Sequence, residues 1–129
     1  MKLPSAALQQ ALYETLSAAL SCQVYDDVPE NAAFPYCVIG EESCRDWGTK
    51  SQPGTEVEIT LHFWSQKPGF MEVKQLADAG LQALTASQAL QLDEFTVVQV
   101  QFLEASFGRE DDGVTRSGTL RLGVKIMEV

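Results

Sequence analysis

Histidine is nearly absent from these 129 residues: His62 stands alone, so a multi-histidine metal site or a two-histidine acid/base scheme within one chain is excluded. Cysteine is sparse too. Cys22, Cys37 and Cys44 are odd in number and lack C-x-x-C spacing, which predicts free thiols in a reducing compartment rather than a disulfide framework or a zinc knuckle. Glycines occur singly, so no phosphate-cradling loop is written, and no G-x-S-x-G elbow provides a nucleophile for His62 to activate. No stretch approaches the roughly 18 apolar residues of a membrane span, and Gln9, Gln10 and Glu14 interrupt the start where a secretory signal stays apolar. That places the chain in the cytoplasm of the cell that makes it.

Basic residues are also few. Nine Lys and Arg stand against eighteen Asp and Glu, a net charge of -9, and the nine are scattered along the chain. Binding that grips phosphates needs clustered cations, so nucleic-acid recognition is not the expected work. The hydrophobic fraction of 45% and the length predict one globular domain, residues 1–129, around one core.

Leu8, Leu12, Leu16 and Leu20 recur every four residues, which predicts an amphipathic helix from Pro4 to Leu20. A short run Gln23–Tyr25 follows, then an acidic, proline-bearing loop. Tyr36–Glu42 reads as a strand, with Cys37 packed on the face of Ile39, and SCRDWGTKSQPGT reads as a surface loop holding Cys44. From Glu56 to Trp64 alternation is strict: Val57, Ile59, Leu61 and Phe63 on one face, Thr60, His62 and Trp64 on the other. A second helix is expected over Phe70–Leu84. Two strands close the chain, Phe95–Phe107 and Thr119–Met127, and Val98, Val100 and Phe102 alternate with glutamines in the first. They are joined by a tip of about ten residues carrying Glu110, Asp111 and Asp112. This order predicts an α+β two-layer sandwich, a mixed and mainly antiparallel sheet of about four or five strands with both helices on one face.

Candidate chemistry is thin. Cys37, Cys44, His62 and Glu41 lack the spacing of a zinc site. The carboxylate pairs Asp26–Asp27, Glu41–Glu42 and Asp93–Glu94 fall in polar turns or strand ends where both members stay ionised. Glu110–Asp112 lacks the D-x-D-x-D-G pattern of a calcium loop. The expectation is therefore no catalysis, no metal and no cofactor.

Three stretches carry a resemblance. VPEN with FPYCVIG contributes Val28, Pro29, Pro35, Tyr36, Val38, Ile39 and Gly40; EVEITLHFWSQKPGF contributes Leu61, Trp64 and Ser65; R-x-G-x-L-R-L contributes Arg116, Gly118 and Leu120. In this order they resemble the tail-completion family of long-tailed phages, over roughly Leu8 to Met127. The resemblance implies a structural virion protein, assembled in the bacterial cytoplasm, that caps the tail tube as a hexameric ring. Such a ring stops tube growth and joins the head connector. Its implied partners are further copies of itself, the major tail tube protein and a connector or stopper, with DNA passing through unbound. A head-side connector or stopper subunit is the alternative, and a small ligand-binding or hydrolase domain a further one. Arg45, Asp46, Trp47, His62, Trp64 and Arg116 are the interface candidates. Glu110, Asp111 and Asp112 are candidates for a lumen-facing loop tip that repels phosphates.

Overall fold

A computed structural model describes all residues, 1–129. The elements run α1 (Ser5–Ala19), β1 (Gln23–Tyr25), β2 (Tyr36–Asp46), β3 (Gly54–Ser65), α2 (Met71–Thr85), β4 (Phe95–Arg109) and β5 (Arg116–Glu128). The five strands form one sheet in the order β1-β2-β3-β5-β4. Only β1 and β2 are parallel; every other pairing is antiparallel. The expected α+β two-layer architecture with a mixed sheet is what forms.

Strand β3 lies at the centre, and its alternation sets the layers. Val57, Ile59, Leu61 and Phe63 are buried on one face, while Glu56, Glu58, Thr60, His62 and Trp64 remain half-buried on the other. β5 matches it with Leu120, Leu122, Val124 and Ile126. Both helices lie on this apolar face, α1 over β1 and β2, α2 over β3, β4 and β5. The leucine stripe of α1 is buried as its spacing predicts, and Pro4 stands before the first turn, accepting the Leu8 N–H at 2.8 Å. Gly80 lets the α2 backbone approach Phe63, where a Cβ would sit 3.1 Å from the ring tip. The start of α2 is tied down as well, because the Ser65 hydroxyl donates to Glu72 in the first helical turn at 2.7 Å.

Four expectations need correction. β2 continues past Glu42 to Asp46, so Cys44 lies in a strand, packed against the core, and not in a surface loop. The reason is a cross-strand charge match: Arg45 pairs with Glu56 in register, and the polar outer residues that read as loop face a polar sheet surface. The loop expected from Ser43 to Thr55 is thus reduced to a hairpin turn between Asp46 and Gly54. Second, the hairpin of β4 and β5 is longer and its tip shorter than the spacing suggests, because β4 reaches Arg109 and β5 begins at Arg116.

Third, β4 does not alternate cleanly. Irregularities fall between Val97 and Gln99 and between Phe102 and Glu104, and each inserts a residue that shifts the register. Val98 and Phe102 accordingly remain 52% and 49% exposed instead of entering the core. Fourth, Phe70 stands just before the second helix rather than opening it, as its N-cap residue.

Phe63 is the largest fully buried side chain, wedged between the sheet and Gly80. Phe63→Ala should therefore cost about 3–5 kcal/mol of folding stability. Urea unfolding followed by circular dichroism measures this, and a loss below about 1 kcal/mol would show that the β3–α2 contact is not central to the core.

Candidate functional site

The thiols come first, because a nucleophilic or metal-binding cysteine needs its pKa lowered. Here all three move the other way. Burial pushes Cys37 far above its ordinary range, burial raises Cys22, and burial with the neighbouring Glu42 carboxylate raises Cys44. No group of three His, Cys, Asp or Glu side chains converges to hold a metal ion. A groove of about 520 Å³ between the end of α2, the 86–92 segment and the start of β4 is lined by Leu84, Leu90, Leu92, Val97, Val100 and uncharged neighbours. It contains no ionisable side chain. Proton transfer has no group to use there.

The outer face of the sheet is different. His62 Nε2 lies 2.6 Å from Glu41 Oε1, its ring covers Gly40, and it stacks with Trp64 at 6.4 Å between centroids and 17° between planes. Beside Trp64 across the register lie Tyr36 of β2 and Ser117 of β5. Tyr36 in turn packs with Tyr25 at 5.7 Å and Phe34 at 5.0 Å. A band of rings thus runs from the β1 edge into the middle of the sheet.

Further along the same face is a ladder of charges. Arg121 of β5 bonds Glu58 and reaches Glu104 at 3.4 Å, while Arg45 lies 3.7 Å from Glu58 and 3.9 Å from Glu56. The hydrogen bond from Arg121 holds the Glu58 carboxyl below its usual range, with the Arg45 and Arg121 charges acting in the same direction. The bond to His62 does the same for Glu41.

The interface candidates separate into two groups. Arg45, Asp46 and Trp47 lie at the Gly54 end of β3, where Asp46 accepts the Gly48 N–H at 3.2 Å and Lys125 sits 5.4 Å over the Trp47 ring. His62, Trp64 and Arg116 lie towards the Ser65 end. From Glu56, opposite Arg45, to His62 the groups are about 20 Å apart at about 3.3 Å per residue, so the six fall in two clusters on one sheet.

At the Ser65 end the acidic tip is ordered rather than splayed. Asp112 accepts hydrogen bonds from the Val114 and Thr115 N–H groups, both at 2.8 Å, and from the Thr115 hydroxyl at 2.6 Å. These bonds hold its carboxyl below the ordinary range, the side-chain bond most strongly. Asp111 is exposed, while Glu110 is half-buried and closes the turn through its N–H to Thr115 O at 2.8 Å. Of the three acids, Asp112 has a structural task that its sequence context does not reveal.

Arg116 lies 5.7 Å over the Phe70 ring with its guanidinium bonded to the Val114 carbonyl, and its buried Nε has no partner. Lys74 on α2 sits between the rings of Phe70, at 5.9 Å, and Phe107, at 5.6 Å. Gly118 makes this possible, since a Cβ there would lie 2.9 Å from the Phe107 ring. Lys74, Phe70 and Phe107 escape the sequence reading because they meet only in the fold. The pairing of β4 with β5 brings Arg109 directly opposite Arg116.

Three thiols with raised pKa values, an uncharged groove and a sheet face covered with rings and ion pairs point to a binding or assembly protein. The chain belongs to the tail completion protein gp17 family, whose family model matches residues 6–126, and it is a structural component of the phage tail rather than an enzyme. It is 30% identical to the tail completion protein gp17 of Bacillus phage SPP1, over 94% of this chain and 92% of that one. Among solved structures, a chain from the virion of a native gene transfer agent particle matches with a TM-score of 0.85 and 25% identity, covering 98% of this chain and 99% of that chain. The structure of bacteriophage SPP1 gp17 matches with a TM-score of 0.59 and 24% identity, covering 99% of this chain and 92% of that chain.

The depressed carboxyls set a direction for acid sensitivity. A carboxyl whose folded pKa is lowered adds stability that is complete above its unfolded value and is lost as pH falls through the folded value. For Glu41 and Glu58 the ordinary value is 4.5, so the loss begins below that pH. The thermal midpoint should be level down to about pH 5 and fall below it, and Glu58→Gln should flatten that fall. An unchanged acid limb in Glu58→Gln would remove the charge ladder from the account.

Proposed function

We propose that the chain, acting as one unit over residues 1–129, caps the tail tube as a hexameric ring, ends tube elongation and forms the joint to the head connector. The observation that carries this reading is the near-complete likeness to a chain of an assembled virion particle, within a family of tail completion proteins. The two separate clusters on the sheet fit a subunit that meets different neighbours at its two ends. Arg45, Asp46 and Trp47 serve one of them, the tube or the connector; His62 and Trp64 serve the other, and Arg116 faces a neighbouring copy. DNA passes through the ring without specific binding, in keeping with a chain of net charge -9.

Removing the gene from the phage or prophage that encodes it tests termination directly. Overlong or unjoined tails are expected under electron microscopy. Normal tails beside filled heads that leak DNA would overturn the reading in favour of a head-side stopper.

Residue roles are tested separately. Trp47→Ala should reduce the yield of joined particles while leaving the fold intact by circular dichroism, and full joining would remove Trp47 from the interface. Neutralising the tip as Glu110→Gln with Asp111→Asn leaves the Asp112 turn in place. If the tip faces the lumen, DNA ejection from these particles slows; ejection at the parental rate would place the tip elsewhere.

A further inference from the structure

The sheet has two unlike edges. Strand β4 is the long one, fifteen residues with no Lys and no Pro, and its first nine, FTVVQVQFL, carry no charge. Val98, Phe102 and Leu103 are 52%, 49% and 39% exposed along it. Natural edge strands of this length are usually covered, charged or interrupted, so an uncovered apolar one marks a contact with another chain. Beside it lie four of the nine basic residues: Lys74 over Phe70 and Phe107, Arg116 over Phe70, Arg109 opposite Arg116 in the register, and Lys67 in the turn after Ser65, the residue paired with Arg116. None of the four has a carboxylate within ion-pair distance, although the chain has eighteen to offer. Asp112 feels the Arg116 charge, but its oxygens are already engaged by Val114 and Thr115.

The opposite edge is the complement. β1 is only three residues long, and the segment that follows it carries Asp26, Asp27 and Glu30, all exposed and none in an ion pair. Tyr25, Phe34 and Tyr36 form the ring cluster at this edge, with Phe34 38% exposed. The register sets the start of β1 level with the cations, and the acidic segment leaves β1 after Tyr25, three strand positions further along, and returns to Tyr36. Arg116 pairs with Ser65, Trp64 with Tyr36, and Tyr36 with Gln23.

We infer that the β4 edge with its cations receives the β1 edge and acidic loop of a second copy of this chain. The contact is head-to-tail. Two cationic ends or two acidic loops would repel each other, so a two-fold pairing of like edges is disfavoured and a heterologous contact, the kind a ring requires, is favoured. This inference rests on the ring reading above and adds the surfaces and the direction of assembly.

Reciprocal charge reversal tests it with exposed residues. Lys74→Glu with Arg109→Glu makes both surfaces acidic; Asp26→Lys with Asp27→Lys makes both basic. Each variant alone, added to particles lacking the chain, should lower joining at least about tenfold, since like charges brought together cost more than about 1.4 kcal/mol. An equal mixture should restore joining, because alternating subunits then match at every contact of an even-numbered ring. Should a double variant fail to fold, Arg109→Glu and Asp27→Lys give the same test singly. Full joining by each variant alone, or no recovery in the mixture, would overturn the contact while leaving a ring possible. A stoichiometry of one wild-type copy per tail would overturn the ring reading itself, and this contact with it.

Discussion

The antiparallel contact between β3 and β5 fixes everything else in this molecule. Twelve successive residue pairs, from Gly54 with Met127 to Ser65 with Arg116, lock the register of the two central strands. With that register set, Ile59 and Leu122, or Leu61 and Leu120, meet on the helix side, and a slip of one residue would turn every one of them outward. The helices have one face to cover. The remaining face must satisfy itself with polar and aromatic groups, and it does so through the Arg45–Glu58–Arg121–Glu104 ladder and the His62–Trp64 stack.

That division explains the character of the protein. Its reactive groups are either buried out of use, as the Cys37 thiol is, or tied into ion pairs and turns, as Glu41, Glu58 and Asp112 are. What stays free at the surface is contact area: rings at one edge, an apolar strand at the other, and unpaired charges of opposite sign beside each. A subunit built to be incomplete in this way fits membership in a family of tail completion proteins, whose work is structural.

Much of the fold was legible in the sequence where burial and periodicity coincide. The every-fourth leucines of α1 and the strict alternation of β3 each specify one face, and each is buried as read. The end of β2 was not legible, because Ser43, Arg45 and Asp46 are polar and followed by glycine and proline; only the facing Glu56 and Glu58 explain why they extend. The exposure of Val98 and Phe102 was hidden for the opposite reason, since bulges break an alternation that composition alone suggests. The family resemblance came from Tyr36, Val38, Gly40, Trp64 and Gly118, whereas the cation-and-ring end required residues from α2 and the last hairpin to meet. Long-range register has no local signature.

The proposed closed, head-to-tail ring at the end of the tail has a direct test. A cryo-electron microscopy map of the head-to-tail joint, with the chain located by a labelled copy, measures this most directly. Six copies in one layer at the head-proximal end of the tube are expected, each β4 edge beside the β1 edge of its neighbour. Copies placed on the head side of the connector, or a layer in which like edges face each other, would contradict it.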